Sequence, residues 1–281
     1  MTESDESGPQ PELIAADELR QAIDEQQLLL YFQPQIALTA GSVRVRGAEA
    51  LVRWQHPQFG LLYPAQFLPS FEHAGLMGAL TDLVITEAMR QASGWNRIDS
   101  TLTLTVNLSP HLVRDQQFPA RLALLLQEFE LDPEQLIIDV TEEPAQCDFR
   151  RIHDVFTRLR IMQVGLTLDH FGTGYSSLTA LYRMPFTEVK LDQGLIVDLP
   201  HNREACLVVE TLGNLAHRLG LKAGAAGVES EPALELLRGY GFDHVQGRAL
   251  CEPVQASDID GLLRHWHWPR TTHGQARKAP A

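Results

Sequence analysis

Leu136-Ile137-Ile138-Asp139-Val140, the segment Phe149 to Met162, and Gly165-Leu166-Thr167-Leu168-Asp169 together form the stretch on which the fold turns. A short run of branched apolar residues, a longer segment with apolar residues at helical spacing and a second short run spell strand, helix, strand. That is the repeating unit of a parallel sheet covered by helices. Downstream, Glu188 to Leu191, Leu221 to Ala225 and His244 to Gln246 read as strands, with helices over Arg203 to Leu219 and Glu231 to Tyr240. Upstream, a helix near Ala16 to Glu25 precedes strands at Leu28 to Ile36 and Val43 to Trp54. Helical stretches then pass through Glu72 and from Leu83 to Trp95, and Leu102 to Leu108 reads as a further strand. These make eight candidate strands, the first two joined by only a short turn near Thr39 to Ser42. The pattern predicts one α/β domain, a βα barrel with a hairpin-like start.

The chain has 281 residues, 44% apolar and 21% charged, which is enough material for a large core and excludes a disordered or fibrous protein. Both ends are polar, so residues 1–14 and 269–281 read as tails around a barrel over 15–268, with no linker to divide it. A net charge of -13, from 23 basic and 36 acidic residues, repels nucleic acid and anionic lipid. No polymeric nucleic-acid partner is expected. Neither an export signal nor an apolar run of about 18 residues is present, so no membrane span is expected. Cys147, Cys206 and Cys251 are odd in number and far apart, which suits a reducing cytoplasm better than a disulfide framework. His265-Trp266-His267-Trp268 reads as the end of the last helix with its indoles packed on the barrel.

Six of the strands carry a polar group within or near their ends: Glu49, Asn107, Asp139, Asp169, Lys190 and Gln246. In a barrel such groups converge on the C-terminal face, where active sites are built. Glu, Asn, Asp and Asp form an all-oxygen set, which selects Mg²⁺ or Mn²⁺ over zinc. A lysine beside them suits an anionic substrate and points to phosphoryl chemistry.

Glu49-Ala50-Leu51-Val52-Arg53-Trp54, followed by His56-Pro57, resembles the motif that names the EAL-domain family of cyclic di-GMP phosphodiesterases. Further stretches similar to family motifs follow in order: Tyr31-Phe32-Gln33-Pro34, Val106-Asn107-Leu108-Ser109, Asp139-Val140-Thr141-Glu142, Asp169 to Leu178, Val189-Lys190-Leu191-Asp192 and Gln246-Gly247. The resemblance implies a modified TIM-type (βα) barrel with one antiparallel strand, and a homodimer as the assembly many members adopt. It implies that Glu49, Asn107, Asp139 and Asp169 hold a first divalent metal, with Lys190 and Gln246 as the catalytic-site positions beside it. It implies that Glu142 anchors the loop from Phe171 to Ser177. Gln33, Leu51, Arg53, Asp192 and Glu229 are implied contacts of cyclic di-GMP.

The chain departs from the family pattern at four places. Asp169-His170 stands where the family writes two aspartates, and Ala225-Ala226-Gly227-Val228-Glu229 stands where it writes Ala-Glu-Gly-Val-Glu. Asp139 replaces a glutamate, and Arg248 follows Gln246-Gly247 where an aromatic residue is usual. Two-metal hydrolysis needs ions about 3.5–4 Å apart, and the second ion has lost two carboxylates. A neutral His170 cancels none of the ion's charge and suits borderline metals better than Mg²⁺. The resulting expectation is a degenerate member of cyclic di-GMP signalling, binding one Mg²⁺ or Mn²⁺ and acting as a receptor or regulator with a protein partner. The alternatives are a phosphodiesterase with residual activity and a ligand-independent interaction module.

Overall fold

A computed structural model describes residues 13–39, 42–110, 112–141, 149–172 and 178–266 of the chain. The expected tails, Glu142 and Cys147 lie outside these residues, except that Ile14 is buried and donates its backbone N–H to Ser70 Oγ at 3.1 Å. Ten strands are described: β1 (Leu28–Thr39), β2 (Ser42–His56), β3 (Gly60–Leu62), β4 (Thr103–Asn107), β5 (Leu136–Val140), β6 (Gly165–Phe171), β7 (Glu188–Leu191), β8 (Lys222–Ala225), β9 (His244–Val245) and β10 (Val254–Gln255). The strands β2, β4, β5, β6, β7, β8 and β9 run parallel in that order. Strand β1 closes the ring, antiparallel to β2 on one side and to β9 on the other. The result is the expected barrel of eight strands with one running against the rest. The two further strands, β3 and β10, pair with β2 and β1 and are too short to show a period in sequence.

Side chains alternate across each strand, so one set faces the barrel interior and the next faces the helices. Leu104, Val106, Ile138, Val140, Leu166, Leu168, Val189 and Leu191 are buried in one apolar cluster with Ile152, Val155, Phe156 and Leu159 of the helix Phe149–Ile161. Most of the alternate positions are polar and reach across the barrel to one another. Lys190 of β7 meets Glu49 of β2, Gln35 of β1 meets Gln246 after β9, and Arg46 of β2 meets Glu188 of β7. The interior is therefore a column of paired polar groups inside an apolar sleeve.

The N-terminal end of that column is an ion cluster. Arg46 donates to both Glu188 oxygens, at 2.9 and 3.0 Å, and its Nη1 lies 2.7 Å from His244 Nδ1. Because the guanidinium can only donate, His244 Nδ1 accepts and the imidazole is neutral. A Cβ at Gly224 would come within 2.3 Å of His244 Nε2, so the absence of a side chain there makes room for the ring. Burial, joined by the Arg46 charge, depresses the His244 imidazole to about 3. Burial alone would raise the Glu188 carboxyl, but His244, which gains its charge only in strong acid, and the Arg46 and Lys222 cations more than offset it and bring it to about 2.

Among the described residues no helix is long and apolar enough to cross a membrane. Cys206 and Cys251 are free thiols. Trp266 packs against the core after the helix Ala256–His265, as expected for the first of the two indoles, and Trp268 lies outside the described residues.

The ion cluster sets a pH dependence. The unfolded chain protonates His near 6.5 and Glu near 4.5, whereas the fold holds these two groups at about 3 and about 2. Acid therefore favours unfolding, and the stability they contribute is full at neutral pH and lost on the way down. Stability from urea unfolding, followed from pH 6.5 to 4.5, is expected to fall less steeply in His244→Gln than in the natural chain, by about half a proton at pH 6.5 and nearly one at pH 4.5. Glu188→Ala, which strands Arg46 in the interior, is expected to cost about 3–5 kcal/mol at pH 7.

Candidate active site

The C-terminal end of the column opens into a cleft of about 490 Å³. Its floor is a buried cation held by three carboxylates. Lys190 Nζ lies 2.5 Å from Asp139 Oδ2, 3.1 Å from Glu49 Oε2 and 3.3 Å from Asp169 Oδ2, and its side chain is 2% exposed. Asp139, Asp169 and Lys190 come from the C-terminal halves of β5, β6 and β7 and Glu49 from the middle of β2, each at a position where the pleat points inward. Asn107 Nδ2 donates to Glu49 Oε1 and Gln246 Nε2 donates to Glu49 Oε2, both at 2.8 Å. Gln246 is in turn held by Gln35 at 3.0 Å, and Gln35 accepts from Thr105 at 3.2 Å.

The charges on this floor do not balance, because one ammonium faces three carboxyl groups away from water. Burial pushes the Asp139 carboxyl up, Lys190 opposes this, and the neighbouring Asp169 and Glu49 charges leave it at about 8. Burial also acts on Glu49, but Lys190 and the hydrogen bonds from Gln246 and Asn107 bring it down to about 2. Burial works against the Lys190 cation, and the three surrounding carboxylates hold it well above the ordinary lysine range.

Glu49, Asn107, Asp139 and Asp169 are thus brought together, as expected for the metal set. Yet no group of three His, Cys, Asp or Glu residues among those described is spaced to surround an ion. Instead, Glu49, Asp139 and Asp169 each lie within 3.3 Å of the Lys190 ammonium. A hard dication nonetheless fits this donor set. All the donors are oxygens, and Asp139 Oδ1 is buried without a hydrogen-bond partner. Such an orphaned acceptor costs about 1–3 kcal/mol, and a cation beside it removes the deficit.

Of the expected nucleotide contacts, Gln33, Leu51, Arg53 and Glu229 line the cleft. Arg53 is 2% exposed, donates to the Val52 carbonyl at 2.7 Å and lies over the Tyr31 and Tyr63 rings, 5.6 and 5.0 Å from their centroids. Asp192 is not among the lining residues. Its Oδ1 caps the short helix Gln193–Ile196 through Gly194 N–H at 2.8 Å, and its Oδ2 lies 2.7 Å from His170 Nδ1. Burial raises this carboxyl, and the His170 and Gly194 hydrogen bonds outweigh it, so it falls below the usual range. His170 itself has φ 57, the left-handed region, at an irregularity in the β6–β7 pairing, with its N–H on Asp169 Oδ1 at 2.8 Å. Ala226 lines the same wall and supplies no donor atom. Glu142 lies outside the described residues.

Sequence reasoning gave no role to Gln35, Tyr31 or Tyr63. Gln35 was detectable as a polar residue inside an apolar strand, two positions from Gln33 on the same face. The two tyrosines are joined through Arg53, and nothing in their spacing announces it.

The model of the family described as EAL domain matches residues 16–253. The bifunctional diguanylate cyclase/cyclic di-GMP phosphodiesterase MucR of Pseudomonas aeruginosa is 37% identical over 251 residues, covering 89% of this chain and 36% of that protein. The cyclic di-GMP phosphodiesterase RocR of the same species is 30% identical over 243 residues, covering 86% of this chain and 62% of that protein. The chain spans between 29% and 42% of the length of the first curated relatives it matches. The solved structure of the PaMucR phosphodiesterase in complex with c-di-GMP is similar with a TM-score of 0.80 at 37% identity, covering 86% of this chain and 98% of that one. The FimX EAL domain from Pseudomonas aeruginosa bound to c-di-GMP gives 0.77 at 25% identity, covering 85% and 96%.

Asp139→Asn replaces a carboxyl whose pKa is pushed up to about 8 with a permanently neutral amide, leaving Lys190 the carboxylates of Glu49 and Asp169. It is expected to leave thermal stability unreduced and to lower Mn²⁺ affinity by at least about tenfold. Calorimetric titration of Mn²⁺ checks this, and unchanged affinity would remove Asp139 from the ligand set.

Proposed function

Since this chain belongs to the EAL-domain family, we propose that it is a cyclic di-GMP receptor, built on a phosphodiesterase barrel whose hydrolytic machinery is degenerate. The observation that carries the reading is the contrast within one cleft. The floor of Glu49, Asn107, Asp139, Asp169, Lys190 and Gln246 is assembled and hydrogen-bonded, whereas the adjoining wall offers Ala226 and an imidazole already turned to Asp192. One Mg²⁺ or Mn²⁺ held by Glu49, Asn107, Asp139 and Asp169 would supply positive charge against a phosphate. Lys190 and Gln246 keep those carboxylates in place, and Gln33, Leu51, Arg53 and Glu229 are the proposed contacts of the dinucleotide. Asp192 acts from behind, by orienting His170. Glu142 keeps the loop-anchoring role that the family pattern suggests. Hydrolysis also needs a base for the attacking water, and the loss of a general base removes about 10²–10⁴ in rate. Recognition of guanine through its ring faces and edges needs no such group. A receptor without turnover transmits its signal through a protein partner or a second copy of the chain, here in the cytoplasm.

Residual hydrolysis is a second reading with its own support. Relatives named as phosphodiesterases share 35–37% identity with the chain. The Asp192 contact on His170 Nδ1 leaves Nε2 3.5 Å from Asp169 Oδ2, and metal-binding imidazoles are commonly oriented by a carboxylate in this way.

Calorimetry with cyclic di-GMP in Mg²⁺ or Mn²⁺ is expected to give a dissociation constant in the micromolar range or tighter, and no binding overturns the receptor reading. Incubation followed by chromatography is expected to show turnover well below about 1 s⁻¹, the lower end of ordinary enzyme rates. Combining His170→Asp with Ala226→Glu is expected to raise that rate by at least about a hundredfold, as restored base catalysis should.

A further inference from the structure

The cleft has an imbalance of charge that an anionic dinucleotide must overcome. Glu49, Asp139, Asp169, Glu229 and Glu252 line it, against Lys190, Arg53 and Arg248. Lys190 is buried and held by three carboxylates within 3.3 Å. Arg53 is 2% exposed, flat against two tyrosine rings and bonded to the Val52 carbonyl. Among the described residues, Arg248 is the lining cation that is exposed to solvent.

Its backbone is fixed. Val228 N–H donates to the Gln246 carbonyl at 3.0 Å and Ala249 N–H donates to the Val228 carbonyl at 3.1 Å. Leu250 and Cys251 both donate to the Gly247 carbonyl, at 3.0 and 3.1 Å. A Cβ on Gly247 would stand 2.2 Å from the Val228 carbonyl oxygen, so the turn packs directly on that backbone. Arg248 therefore projects from a rigid turn two residues beyond Gln246, the residue that braces Glu49 on the floor.

We propose that Arg248 is a phosphate-binding residue of this cleft, supplying at the mouth positive charge that the depleted second metal position does not, so that cyclic di-GMP binding persists without a divalent ion. This rests on the receptor reading above and adds to it the residue that receives the phosphodiester. A guanidinium presents paired donors to two phosphate oxygens, keeps its charge at every working pH and gives up little hydration in doing so. Lysine retains the charge without the fork, and alanine retains neither.

The test is calorimetry of cyclic di-GMP with the full chain, its Arg248→Ala variant and its Arg248→Lys variant, each in EDTA and in Mg²⁺, at two salt concentrations. Thermal unfolding serves as the folding control, and affinities are compared only between variants that remain folded at the titration temperature. The expected result is binding by the natural chain in EDTA, an affinity at least about tenfold weaker in Arg248→Ala with a shallower salt dependence, and an intermediate affinity with the natural salt dependence in Arg248→Lys. Binding by the natural chain together with an unchanged Arg248→Ala overturns this inference alone. An Arg248→Ala variant that binds more weakly but keeps the salt dependence of the natural chain overturns the phosphate assignment in favour of a guanine edge. Binding that vanishes in EDTA overturns the metal-independent part. Absence of binding by the natural chain under every condition overturns the receptor reading and this inference together.

Discussion

A lysine ammonium buried at the end of a barrel is tolerable only if its surroundings replace the water it has lost, and Lys190 finds that replacement in Glu49, Asp139 and Asp169. Taking such an ion out of water costs several kcal/mol even after the protein relaxes. The cost explains why the groups around it are held so firmly by others. Glu49 is fixed from two sides by Asn107 and Gln246, Gln246 by Gln35, and Gln35 by Thr105. A site placed this way is rigid before any ligand arrives, and its geometry depends on strands far apart in the chain.

The same requirement runs the length of the barrel. At the other end Arg46, Glu188 and His244 form a second paired cluster, and Gly224 gives up a side chain so that the imidazole fits. The two clusters share strands: Glu188 and Lys190 are two residues apart on β7, and His244 and Gln246 two apart at β9. One end of each pair serves cohesion and the other serves the cleft. The apolar residues between them lie on the opposite face of each strand, under the helices, where burial supplies the main driving force for folding. Fold and site are thus built from alternate residues of the same strands.

Binding and cleavage place different demands on such a site. Cleavage needs charge concentrated at two points a few ångströms apart and a group to take a proton from water. Binding needs complementary surface and enough positive charge to offset two phosphates. On the receptor reading proposed above, His170 and Ala226, standing where the family pattern has acidic residues, bear on the first set of conditions and not on the second, since two fewer acidic groups also means less repulsion of an anionic ligand. The excess of carboxylate over ammonium on the floor, expressed in the elevated Asp139 pKa, is what a dication or a neighbouring guanidinium would relieve.

Read alone, the residues determined the strand and helix alternation, the hairpin start and the set Glu49, Asn107, Asp139, Asp169, Lys190 and Gln246. Each of those signals is local: a period of two or 3.6, a turn too short for a crossover, or a polar group within or at the end of an apolar run. The family resemblance added candidate contacts, of which Gln33, Leu51, Arg53 and Glu229 line the cleft while Asp192 turns to His170. Only the tertiary structure decided that Lys190 is the hub of three carboxylates, that Gln35 braces Gln246 from another strand, and that Arg53 lies between Tyr31 and Tyr63. Those relations join residues as much as 211 positions apart, and closing the barrel is what brings them within hydrogen-bonding distance.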